Sequence, residues 1–284
     1  MKIPNDEVTT DEVKEWQGLH LLHFQASSCS QKVRILLREK GLDWQSHPID
    51  LVREQHVTPW FLGINPRGVV PVLVHDGVVH VESNDILEYL DQLDSTAEPY
   101  FPRSDEEIRI ARESLALEDG LHADLRTITM GFLTPRAAAK KSPKTLEAYE
   151  RDGAPNAQRD KEVAWWRAFA ERGITPDDAR ASAAAFDEAF AALDERLAEQ
   201  PWLLGSRISV LEISWFTSMH RLVTAGYPIS RHSRLSEHYA RLLARPAFAA
   251  EVANRGLPGV ALRAYGAWRR FRGSTLGDVL ETPA

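Results

Sequence analysis

The sequence predicts an α/β layer built on a mixed sheet, followed by an all-α half, and three observations carry that prediction. The first third alternates short apolar runs with helical stripes in the order β-α-β-α-β-β-α. Two β-branched runs flank Asp76-Gly77 within "VPVLVHDGVVHVE" (70–82), the signature of a tight antiparallel hairpin. Beyond the proline-bearing stretch "STAEPYFPRS" (95–104), strand patterns disappear and helical periodicity takes over.

Residues 1–17 form an N-terminal extension without the apolar core of a signal peptide. "LHLLHF" (19–24) is short, apolar and bounded by polar residues, as a strand requires. From Ser30 onward, Val33, Leu36 and Leu37, closed by Lys40-Gly41, predict a helix with a basic last turn and a glycine stop. "WQSHPID" (44–50) reads as a weaker strand. "TPWFLGIN" (58–65) reads as a short helix capped by Thr58, with Pro59 at its first position. After the hairpin, Ser83 is placed to cap a helix whose Ile86, Leu87 and Leu90 face inward. The layer spans 18–94, 95–104 is a linker, and 105–284 is helical. Within that half, 105–133 is one long helical pattern and 134–174 a charged surface excursion. Thr175-Pro176 opens another helix, and Ser209 with Glu212 has capping-box spacing ahead of the next. Two stretches follow near 231–245 and 246–255, and then a tail, 256–284.

With 43% hydrophobic and 26% charged residues, the chain has enough apolar surface for a packed core. A net charge of −7 argues against a nucleic-acid partner, and no run is long and apolar enough to span a bilayer, so no membrane partner is expected. The single cysteine, Cys29, excludes an intramolecular disulfide and fits a reducing, cytoplasmic compartment. His20, His23, His75 and His80 read as strand-surface histidines, and no metal is expected.

Cys29 lies in "SSCSQKVRILLREKG" (27–41), where a strand gives way to a helix. Free backbone N–H groups and the helix dipole stabilise an anion at such a turn, and a thiolate is one. A serine hydroxyl there can hydrogen-bond a sulfur and lower its pKa, whether the sulfur belongs to a ligand or to the protein. "NPRGVVP" offers backbone that can pair with a peptide-like ligand as an added strand. Glu82 and the helix start at Ser83 supply an acid for an amine and N–H donors for a carboxylate. Each piece alone has a structural reading, as core cysteine, cap or turn proline. Their order and spacing together fit an amino-acid-headed thiol, with its sulfur at Ser27 and its peptide bond at Val70.

In "SSCSQKVRILL", "INPRGVVPVLVHDG", "VESNDILEYLD" and "WLLGSRISVLEISW" the chain resembles the cytosolic glutathione transferases. The resemblance covers most of 19–255, apart from 134–174, and implies a thioredoxin-like N-terminal domain ahead of an all-helical one. It implies glutathione as co-substrate, and a cis Val70-Pro71 bond that presents the Val70 backbone to the cysteinyl unit. Glu82 and Ser83 would hold the γ-glutamyl end, and Arg67, Gln55 or His56 would reach the glycine carboxylate. The first strand ends in Phe24-Gln25-Ala26, without the tyrosine some classes use, so the activating hydroxyl falls to the serines, Ser27 first and Ser28 beside it. Glu212 stands where the family has aspartate and keeps its capping role.

Two branches stay open at Cys29. "SSCS" followed by a basic residue resembles the zeta-like class, which includes glutathione-dependent isomerases of maleyl acids, with Cys29 as a helper. "S-x-C-S-x-K" equally resembles the tetrachlorohydroquinone reductive dehalogenases, in which the residue matching Cys29 forms a mixed disulfide with glutathione. The long helical half resembles bacterial dehalogenase-like and β-aryl-ether-cleaving glutathione enzymes. A small electrophile, aromatic or unsaturated, is expected against Phe24, against His122, Arg126 and Met130 on one helix face, and against Trp268 of the tail. That tail interleaves Tyr265, Trp268 and Phe271 with arginines. It reads as a helix packing its aromatic side inward or as a lid over the acceptor. By resemblance the protein pairs as a two-fold homodimer.

Overall fold

In the computed structural model, β1 (Leu19–His23) is buried along its whole length and carries neighbours on both sides. The structure describes residues 1–93, 98–143, 145–147, 157–253 and 256–282. Parts of the expected linker (95–97), excursion (144 and 148–156) and tail (283–284) lie outside the described residues. Two compact units result, residues 1–97 with 140–172, and residues 98–139 with 173–284.

In the first unit β1 runs parallel to β2 (Gln45–Pro48) and antiparallel to β3 (Val72–His75), which pairs in turn with β4 (Val78–His80). The sheet order is β2-β1-β3-β4. Register sets Leu22 opposite Val72 and Leu21 opposite Leu73, which assigns side chains to alternate faces. One face buries Leu22, Val72, Val74, Val79 and Val81 against Ile3, Val8, Val13, Phe61 and Ile64. Phe61 belongs to α2 (Pro59–Leu62), which Thr58 caps as its sequence suggests. The helices α1 (Ser28–Glu39) and α3 (Ser83–Leu93) pack against each other. A buried ion pair joins them, with Lys40 Nζ 3.0 Å from the Asp91 carboxylate.

The first 17 residues are built into this unit. Ile3 N–H donates to Val79 O and Val81 N–H to Met1 O, so the segment covers the free edge of β4. The turn Asp11–Glu15 buries Val13 beneath the sheet. The hairpin turn places both Asp76 (φ 47) and Gly77 (φ 76) in the left-handed region, as its tight two-residue form demands. Because β1 is covered on both faces, the histidines expected at its surface are buried instead. His20 Nδ1 lies 3.0 Å from His47 Nε2, and its ring stacks on Trp16. His80 is buried too, stacked on Tyr89, and His75 is half-buried with Nδ1 2.6 Å from the Tyr89 hydroxyl.

Residues 140–172, read from the sequence as an excursion of the helical half, group with the first unit. The Thr145 hydroxyl donates to Glu54 at 2.8 Å, and the helix Ala157–Arg172 buries Val163 and Phe169.

The second unit is helical. The single pattern expected over 105–133 is interrupted after Gly120, a poor helix former. Leu121 leaves helical geometry there, and the chain resumes as His122–Ile128 and a π-type turn, Thr129–Leu133. Thr175 with Asp178 closes a capping box at the head of Pro176–Glu199, and Ser209 with Glu212 closes one for Val210–Ala225. Glu212 is fully buried and accepts the Leu203 N–H, the Ser209 N–H and the Ser209 hydroxyl, which satisfies its charge. Buried Glu118 accepts the Ser214 and Ser218 hydroxyls and thereby ties Asp105–Gly120 to Val210–Ala225. The tail forms the helices Gly256–Phe271 and Leu276–Glu281, and the first leaves Trp268 and Phe271 exposed, where one of the two sequence readings packed them inward. Among the described residues no helix is long and apolar enough to cross a membrane.

Gly77 gives a direct test of how the N-terminal segment is seated. A Cβ at this position would run into the Lys14 carbonyl in addition to straining the left-handed turn. Gly77→Ala should cost at least about 2 kcal/mol of stability in denaturant unfolding, and an unchanged midpoint would contradict the packing described.

Candidate active site

The turn from β1 into α1 is shaped from within the helix. Ser27 is the N-cap of α1, and its Oγ accepts the Ser30 N–H at 3.2 Å. Its own N–H donates to Phe24 O, which closes a tight turn over 24–27. Two turns into the helix, buried Arg34 reaches back to the same segment. Its guanidinium donates to Phe24 O at 3.3 Å, to Gln25 O at 3.0 Å and to His23 Nδ1 at 2.9 Å. Since arginine can only donate, His23 Nδ1 is an acceptor and its Nε2–H donates to Ser46 Oγ at 2.8 Å. Burial, followed by the Arg34 and His47 charges, lowers the His23 pKa to about 4, which keeps the ring neutral. Ser28 and Cys29 occupy the first two positions of α1 and are half-buried, as are Ser27 and Phe24. Among the described residues nothing accepts the Ser27 hydroxyl proton.

The second wall of the site is the segment before β3. Asn65 is fully buried, accepts the Arg67 N–H at 3.1 Å and donates to Val69 O at 2.9 Å, so one amide braces the loop on both sides. Gly68 takes φ 63, a conformation that only glycine adopts without strain. The Val70-Pro71 bond is cis. Val70 is half-buried, and among the described residues no hydrogen bond engages its N–H or C=O. Its backbone is therefore available to an extended ligand.

Glu82 sits in the left-handed region at φ 66, immediately before α3 begins at Ser83. A non-glycine residue held there costs energy, and such residues collect at functional sites. Arg67 forms an ion pair with Glu82. The two residues expected at opposite ends of a ligand thus stand together. Gln55 is exposed, and its Oε1 accepts the Asp50 N–H at 2.7 Å, which leaves its amide hydrogens directed elsewhere. Adjacent His56 is buried.

The remaining expected residues belong to the second unit. His122, Arg126 and Met130 recur along one side of His122–Ile128 and the turn after it, each half-buried. His122 Nε2 lies 3.6 Å from both Glu118 and Asp119, and these three could in principle offer ligand atoms to a cation. Glu118 already accepts two hydroxyls, as described above, which makes the group a structural bridge. Trp268 is half exposed and stacks on Tyr265. Sequence reasoning did not find Arg34 or Asn65. Arg34 gave a faint signal, since a charged residue interrupts the inward stripe of α1 beside Val33 and Ile35.

A mixed four-stranded sheet with a cis-proline loop, an anion-ready helix N-terminus and a separate helical unit defines a thiol-binding protein of the thioredoxin-like, two-domain type. Comparison with known proteins makes the class specific. The N-terminal domain model of glutathione S-transferases matches residues 26–93, and the C-terminal domain model matches residues 146–241. The chain belongs to the glutathione S-transferase family.

The chain is 29% identical to protein LigF of Sphingobium sp. strain SYK-6 over 224 residues, covering 73% of this chain and 80% of that protein. The crystal structure of the β-etherase LigF superposes with a TM-score of 0.70 at 26% identity, covering 84% of this chain and all of that one. A glutathione S-transferase of Dianthus caryophyllus is 46% identical, but over 78 residues, 28% of this chain. A maleylacetoacetate isomerase of Pseudomonas aeruginosa is 42% identical over 77 residues, 26% of this chain. The chain spans about a third of the length of these last two relatives.

The neutral His23 makes the first unit sensitive to acid. Its folded pKa lies below the ordinary imidazole value of 6.5, so its contribution to stability is complete above pH 6.5 and is lost as pH falls toward 4. His80 of the same unit, also lowered to about 4 chiefly by burial, adds to this slope, and His220, lowered likewise, gives the second unit a slope of the same sign. Replacing His23 with glutamine should flatten the stability profile in this window by up to one proton, about 1.4 kcal/mol per pH unit. Urea unfolding at stepped pH measures it, and an unchanged slope would contradict the assignment.

Proposed function

We propose that this chain is a glutathione-dependent enzyme in which Ser27 activates the glutathione thiol for attack on a small electrophile. The observation that carries the reading is the state of the Ser27 hydroxyl. Its oxygen is used as the cap of α1, while its proton is left to donate. A sulfur placed before this helix would receive that proton as a hydrogen bond and would also face the helix N-terminus. Both favour the thiolate over the thiol. The thiolate then attacks an electrophilic carbon and displaces its leaving group.

The rest of the tripeptide fits what stands nearby. The cysteinyl unit would pair with the Val70 backbone, whose N–H and C=O have no partner within the described residues. Glu82 would take the γ-glutamyl amine, and Ser83 at the start of α3 its carboxylate, with Arg67 joining that end because it already sits on Glu82. The glycine carboxylate is left to the Gln55 amide, with His56 beside it. Phe24, whose carbonyl closes the turn onto Ser27, is the acceptor contact proposed on the first unit.

Among the shared-first-step reactions, cleavage of an aromatic β-ether is the subtype we favour. The likeness to the β-etherase extends over most of the chain, whereas the likeness to the isomerase is confined to about a quarter of it. A reducing cytoplasm and a two-fold homodimer complete the proposal.

Two variants separate the roles at the turn. Glycine caps a helix almost as well as serine, so Ser27→Gly removes the hydroxyl with little loss of stability. It should lower kcat/KM for glutathione-dependent cleavage of a model β-aryl ether by about 10- to 100-fold, the worth of one charge-assisted hydrogen bond. Cys29→Ala should lower it by less than about threefold, since no bond to Cys29 sulfur is made in this scheme. The reverse order would transfer the chemistry to Cys29 and a mixed-disulfide route.

A further inference from the structure

The helix Gly256–Phe271 turns an apolar stripe away from its own unit. Arg269 fixes its orientation, because the guanidinium donates to Gly131 O at 2.8 Å and to Ser274 O at 2.9 Å and covers the Phe132 ring at 4.7 Å. At 3.6 residues per turn, Val260, Ala264 and Phe271 lie on the side opposite Arg269, and Trp268 flanks them about 100° from it. All four are exposed, Phe271 at 89%. Arg263 and Arg270 border the stripe on one edge and Arg272 on the other. No acidic residue occurs from 256 to 277, in a chain whose net charge is −7.

An aromatic and aliphatic stripe bordered by arginines has the make-up of a helix that lies in a lipid headgroup layer. We propose that this helix docks the protein on an anionic membrane surface. Val260, Trp268 and Phe271 enter the acyl boundary, while Arg270 and Arg272 meet lipid phosphates. The sequence reading set a membrane-surface role for this tail aside, because the basic patch is short and the chain acidic overall; the exposure of the stripe reopens it. The overall acidity does not oppose it, since charges beyond a Debye length of about 8 Å are screened at physiological salt. A second copy of the chain fits the stripe less well. Two-fold pairing of this helix with itself would set arginines against arginines.

The test is co-sedimentation of the full-length protein with phosphatidylcholine vesicles, with and without phosphatidylglycerol. The protein should pellet with the anionic vesicles, bind the neutral ones weakly and be released as salt is raised. Replacing Arg270 and Arg272 with glutamine should weaken partitioning about fivefold for each arginine. Phe271→Ser should weaken it about tenfold or more. Circular dichroism melting should be unchanged in both variants, because these side chains are exposed. Failure of the wild type to pellet, or equal pelleting with neutral vesicles, would overturn the proposal. So would a concentration-dependent dimer that Phe271→Ser dissociates, which would give the stripe to a second copy.

Discussion

The Arg34 guanidinium, buried inside α1, holds the carbonyls of Phe24 and Gln25 and the ring of His23, and the geometry of the candidate site rests on that grip. Carbonyl oxygens turned toward a thiolate would oppose it. Pinned on arginine, these two have their dipoles committed to a cation. The same turn then closes through Ser27 N–H to Phe24 O and delivers the Ser27 hydroxyl to the mouth of the helix. A planar fork with several donors suits a task that lysine, as a point charge, would perform poorly. His23 is the pH-sensitive member, because a protonated ring could no longer accept from Arg34.

The site is otherwise assembled from backbone. Asn65 braces the loop before the cis-proline, and the left-handed Glu82 turns the chain into α3. Both walls belong to the first unit, and the N-terminal segment and residues 140–172 are parts of that same unit. High identity over a short span accompanies the transferase and the isomerase, and lower identity over most of the chain accompanies LigF.

Features set by local chemistry were legible in the sequence. Asp76-Gly77 forms the tight turn its residues demand, and Thr58, Thr175 and Ser209 cap the helices they precede. Features set by what lies across space were not. His20 and His23 flank the apolar pair Leu21-Leu22 and read as surface residues, but β1 is buried along its whole length, and nothing local records the covering. The target of Arg34 lies about ten residues back, through a turn whose shape it helps to create. The sequence reading had Trp268 and Phe271 packed inward or in a lid over the acceptor, but the side of their helix that meets its own unit is taken by Arg269, an arginine that finds carbonyls and a ring to lie against. Amphipathic patterns treat arginine as outward-facing and so assign the wrong side.

The central claim is that the mouth of α1, with the Ser27 hydroxyl, stabilises a thiolate. The most direct measurement is the ultraviolet absorbance of glutathione bound to the wild-type protein, titrated across pH. The account predicts a thiolate signal with a midpoint about one to two units below that of free glutathione, the equivalent of one charge-assisted hydrogen bond. A bound thiol that ionises only where free glutathione does would contradict it.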